Sequence, residues 1–113
     1  NMLTIESLKA LGADTETGLA RCVNNEDFYL NMVKIVLEDN GYDELKALID
    51  SHSIPEAFER AHALKGILGN VSLTTLYEPV AEMTEELRAG KDIDYSGYIS
   101  TIMKELEKYK RLL

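Results

Sequence analysis

Residues 55–71 read PEAFERAHALKGILGNV, and the way they divide around a helix decides the fold. Pro55 suits a helix first turn, where its missing N–H costs nothing, with Ser53 or Ile54 just before it. At about 100° per residue, Ala57, Ala61, Leu64, Leu68 and Val71 share one side, which must be the core face. His62, Lys65, Gly66 and Gly69 gather on another, with His62 roughly 140° from the centre of the apolar stripe by the same geometry. The spacing therefore predicts a solvent-facing histidine on a helix that runs to about Ser72.

The periodicity continues to either side. Leu76, Val80, Met83 and Leu87 predict a following helix that stops at Ala89-Gly90. Pro79 inside it is expected to bend the axis, because proline lacks an N–H and crowds the preceding turn. Asp94 opens a last helix with Tyr95, Ile99, Ile102, Met103, Leu106, Tyr109 and Leu113 on one side. Upstream, Asn25 caps a long segment with Glu26 and Asp27 in its first turn, and Phe28, Met32, Val33, Val36 and Leu37 fall at helical spacing. Asn40-Gly41 ends or kinks this helix; Leu45, Leu48 and Ile49 resume the pattern before Ser51-His52-Ser53 closes it. Thr4 with Ser7 and Lys9 opens a short amphipathic stretch that carries Ile5, Leu8 and Leu11 and ends at Gly12. A second short piece follows Asp14, with Leu19 and Val23 turned inward. Strand signals are nearly absent. The expected fold is all-α: an antiparallel four-helix bundle with short N-terminal helices, one domain over residues 1–113 with its bundle core at about 25–113.

Composition narrows the function classes. Twenty acidic residues against twelve basic give a net charge of −8, the opposite of the basic stripe that phosphate-contacting nucleic-acid binders carry. The densest cations, Lys108, Lys110 and Arg111, suit the negative end of a terminal helix. Nucleic acid and membrane are therefore not expected as partners. No apolar run approaches the roughly 18 residues of a membrane span, and the single Cys22 cannot form an internal disulfide, which fits a reducing cytoplasm. Asn1 ahead of Met2 reads as a cloning remnant, so Met2 is the expected start of a complete small protein, taken as a monomer.

The histidine face carries the chemistry. Residues three and four apart meet on a helix surface, so Lys65 and Gly66 lie beside His62. Glycine inside a helix costs about 1 kcal/mol relative to alanine, so two of them around one imidazole imply close approach by another molecule. Imidazole is a nucleophile at neutral pH, and a lysine ammonium offsets the charge of a phosphoryl group. There is no phosphate-cradling loop, no ATP site and no divalent-metal ligand set, so Mg²⁺ and an aspartate would come from the partner.

These residues form a familiar string. Ala61-His62-Ala63-Leu64-Lys65-Gly66 resembles the A-H-x-L-K-G signature of the histidine-containing phosphotransfer (HPt) family. Gly69-Asn70-Val71 with Leu73 to Leu76, Arg88-Ala89-Gly90, and the stretch from Phe28 to Ile49 are similar to the family's neighbouring helices. The resemblance runs from about Asp27 to Leu113. It implies a phosphorelay intermediate of two-component signal transduction: a four-helix bundle with His62 as phosphoryl acceptor, Lys65 as charge-balancing neighbour and Gly66 as the residue that permits access. Such a protein is a phosphocarrier rather than an enzyme, holds no cofactor of its own, and exchanges phosphate with response-regulator receiver domains or a hybrid histidine kinase, with Mg²⁺ on the receiver. Thr84 and Arg88 fall where relatives place polar groups near the histidine. Two features depart from the pattern. Ser72 stands where the family has a glycine, and is expected to act as N-cap for a helix beginning at Leu73. Ile67 and Leu68 replace commonly small residues, so Ile67 is a partner-fit candidate.

Phe58, one turn before His62, joins Ile67, Gly69, Thr84 and Arg88 as a docking candidate. His52 reads as a surface residue of a polar turn, and Glu85-Glu86 as part of a solvated helix face. Two other readings use the same residues. One is a binding module that docks receivers or kinases without being phosphorylated; the other is an enzyme with His62 as general base, which would need a pocket and convergent partners.

Overall fold

A computed structural model describes residues 2–113; Asn1 lies outside them. The described residues are helical and connecting segments, without a strand: α1 Ile5–Ala10, α2 Thr15–Arg21, α3 Glu26–Leu37, α4 Gly41–Asp50, α5 Ile54–Val71, α6 Thr74–Arg88 and α7 Ser96–Lys110. Local chemistry sets most of the starts. Thr4 and Ser7 form a reciprocal capping box at α1, while Asp14 and Asn25 accept from Thr17 N and Phe28 N at α2 and α3. Asp94 bonds Ser96 N at 2.9 Å as α7 begins. α6 continues through Pro79, which is buried.

The fold is built around α5. It packs on α6, α4, α3 and α2, and α7 packs on both α6 and α3. Its wheel is as the periodicity predicts: Ala57, Ala61, Leu64, Leu68 and Val71 are all buried. Arg88, at the C-terminal end of α6, lies over Phe58 near the start of α5, whereas Tyr77 near the start of α6 reaches Gly69, so the two helices run antiparallel.

Of the two outcomes open at Asn40-Gly41, an end or a kink, the chain takes the end: α3 and α4 are separate helices. Several other expectations need correction. In α3 the inward aromatic is Tyr29, fully buried, while Phe28 is 49% exposed. The stripe of Tyr29, Val33, Val36 and Leu37 includes a phenol whose hydroxyl is satisfied by donating to Val71 O at 2.8 Å. Burial holds that phenol up at about 12. Val23 is 82% exposed because α2 ends at Arg21 and the chain passes through positive φ at Val23 and Asn24; Cys22 turns inward instead. At the other terminus α7 stops at Lys110, which breaks the helical register, so Leu112 is buried and Leu113 is not. Ser72 is no N-cap: it is the C-cap of α5, in the left-handed region at φ 56° and ψ 42°, and Leu73 occupies the cap position of α6 without a side-chain bond.

Candidate functional site

His62 lies in the middle of the longest helix, exposed, on the side away from the buried stripe. Its ring is stacked on that of Phe58 one turn earlier, with centroids 5.7 Å apart and planes 22° apart. Helical side chains lean toward the N-terminus, which is what brings a residue at i onto one at i−4. The stacking limits the imidazole's rotation, yet neither ring nitrogen has a hydrogen-bond partner among the described residues. A nucleophile held by its face with its nitrogens free is the central feature of the surface.

Two cations belong to the same surface, Lys65 in the groove that His62 lines and Arg88 on the Phe58 ring. The guanidinium of Arg88 lies 4.8 Å from the centroid of the Phe58 ring, a cation–π contact, and its Nε donates to Glu85 at 3.2 Å. Lys65 Nζ is 3.8 Å from the same Glu85, so one carboxylate bridges α5 and α6 beside the histidine. Exposed pairs of this kind contribute about 0–1 kcal/mol, so either cation can leave Glu85 for an incoming anion at little cost.

Toward the C-terminal end of α5 the surface dips into an open groove of about 230 Å³, lined by His62, Lys65, Gly66, Gly69, Arg21 and Tyr77 among others. A side chain at Gly66 would meet nothing within 4 Å, so the space beside His62 is open. At Gly69 an added Cβ would come to 3.3 Å from the Tyr77 ring, so this glycine serves the α5–α6 packing rather than access. Arg21 of α2 donates to the Gly69 carbonyl, which pins α2 alongside the site.

Of the residues the sequence nominated, His62, Lys65 and Gly66 are brought together as expected, with Phe58 and Arg88 joined to them through ring contacts. Ile67 is half-buried and packed on the core. Thr84 does not belong to the surface at all. It is fully buried, and its hydroxyl donates to Val80 O at 2.7 Å, so it cannot meet a docked partner. Arg21, Tyr77 and Glu85 were missed as site residues. Only the Glu85–Arg88 pair carries a local signal, the i,i+3 spacing; the others arrive through contacts between helices.

No helix among the described residues is long and apolar enough to cross a membrane, and no group of three or more His, Cys, Asp or Glu side chains is placed to hold a metal ion. No family model matches the chain, and no match is found among characterised proteins or solved structures.

Proposed function

We infer that this protein is a phosphoryl carrier of the HPt kind, which takes a phosphoryl group onto His62 from a receiver-domain aspartate and passes it to another. On this reading α3 and α4 together act as one broken helix that forms a four-helix bundle with α5, α6 and α7. The packing of α5 on α3, α4 and α6, and of α7 on α6 and α3, supports that description. The protein works beside its receivers in the cytoplasm.

The observation that carries the reading is the state of the imidazole: exposed, oriented by Phe58, free at both nitrogens, and flanked by open space over Gly66. In the transfer, the lone pair of an unprotonated His62 nitrogen forms the N–P bond while the P–O bond to the aspartyl carboxylate breaks and the carboxylate leaves with that electron pair. The positive charge so gained by the ring is relieved by loss of the other ring proton to water. The phosphoryl oxygens carry the charge of the transition state, and positioned cations are what such a site supplies. Lys65, which lines the same groove as His62, and Arg88, which sits on the Phe58 ring, are the cations that would serve once released by Glu85. The partner contributes the aspartate and its Mg²⁺. A convex helix surface with no deep cleft at the histidine suits exchange with a docked protein better than turnover of a small substrate.

The test is incubation with a phosphorylated receiver domain. The wild-type protein should acquire an acid-labile label and His62→Gln should not. Label retained by the variant would move the chemistry elsewhere, and binding without any label would favour a docking module.

A further inference from the structure

A second cavity lies away from His62. It measures about 580 Å³, and none of its lining residues is shared with the histidine groove. It lies where the end of α4, the start of α5, the α6–α7 connection and the first half of α7 meet. Its size falls within the range of roughly 300–1,000 Å³ typical of small-molecule sites. Ile49, Ile54, Ile99 and Met103 supply apolar walls, and Ile93 of the α6–α7 connection, 43% exposed, adds to them.

The mouth is acidic, and its charges divide unequally. Lys46 is held by Asp50 at 3.2 Å, and His52 Nδ1 donates to Asp92 at 2.9 Å, so both potential cations already have a carboxylate. Asp94 has none: among the described residues its only partner is Ser96. Hydrogen bonds from the Ser96 backbone and then its side chain hold the Asp94 carboxyl below the usual range, so it stays ionised. An uncompensated carboxylate at the rim of an apolar cavity selects against anions and is complementary to a cation that carries its own apolar body.

We propose that this cavity is a binding site for a small amphipathic organic cation, an amine whose hydrocarbon part fills the isoleucine and methionine walls while its ammonium group meets Asp94. The site is independent of phosphoryl transfer at His62. Because it joins the ends of α4 and α5 to the α6–α7 connection, its occupant would tie those segments together.

The test compares three ligands with the same hydrocarbon body, hexylammonium, hexanol and hexanoate, titrated into the full chain at a pH where His52 is neutral and followed by amide and methyl NMR. Hexylammonium should shift the signals of Ile49, Ile54, Ile99 and Met103, and should bind at least about fivefold more tightly than the other two, the margin expected of one charge-assisted contact. Asp94→Asn should bring hexylammonium down to hexanol's affinity. Asparagine keeps the acceptor for Ser96 N, so an unchanged melting temperature would show that the cap survives. Equal binding of the three ligands, preference for hexanoate, or shifts confined to other regions would overturn the proposal. So would cavity signals that move when the protein alone is diluted, because these would place a second copy in the cavity.

Discussion

Ser72 closes α5 with its backbone in the left-handed region. The observed φ of 56° explains why a glycine would serve there, since a left-handed conformation costs a residue with a Cβ about 1–2 kcal/mol. The Ser72 hydroxyl has no hydrogen bond among the described residues to offset this. Ser72→Gly should therefore raise stability by about 0.5–1 kcal/mol after the greater flexibility of the unfolded glycine is counted. The melting temperature should rise by about 3 °C. Thermal melts of the two proteins check this, and a fall would mean the backbone relaxes around serine. Gly66 is the opposite case. Its φ is ordinary and its surroundings empty, so nothing in the fold requires a glycine. Gly66→Leu should stabilise the helix by about 0.5–1 kcal/mol yet slow phosphoryl exchange by about tenfold or more through lost access. Equal exchange rates in the two proteins would remove access as the reason for this glycine.

At the scale of elements, periodicity made α5, α6 and α7 readable because each has one sharply apolar side. It failed at the ends of α2 and α7, where Val23 against Cys22 and Leu113 against Leu112 are each one residue off because the helix stops, and in the first turn of α3, where the buried stripe runs through Tyr29 rather than Phe28. Contacts between one connecting segment and another were not legible. His52, read as an idle surface residue, reaches from the α4–α5 turn to Asp92 on the α6–α7 connection. The hydrogen bond and charge of Asp92 raise its pKa above the ordinary value of 6.5. A raised folded-state pKa adds stability that is fully present below the unfolded value and disappears as pH climbs through the folded one. Asp92→Asn should therefore lower the melting temperature more at about pH 5.5 than at about pH 9, where the imidazole is neutral in both states. Because both side chains are exposed, salt should shrink the difference. A gap independent of pH would show that Asp92 acts through something other than this histidine.

At the scale of the molecule, the sequence placed the histidine correctly on the outside of a helical protein, because six buried neighbours in its own helix leave only one direction for it. The rest of the site comes from chain that is distant in sequence: Arg21 lies 48 residues from the Gly69 carbonyl it binds, and Glu85 meets Lys65 across two helices. One of the two N-terminal helices, α2, thus bears on the same surface as His62. A protein with two histidines and one proposed chemistry allows a decisive test. After labelling by a phosphorylated receiver domain, tryptic cleavage separates residues 61–65, which hold His62, from residues 47–60, which hold His52. Mass spectrometry at alkaline pH should find the phosphoryl group on the 61–65 peptide alone. A label on the 47–60 peptide, or none on either, would contradict the assignment of His62 as the phosphoryl acceptor.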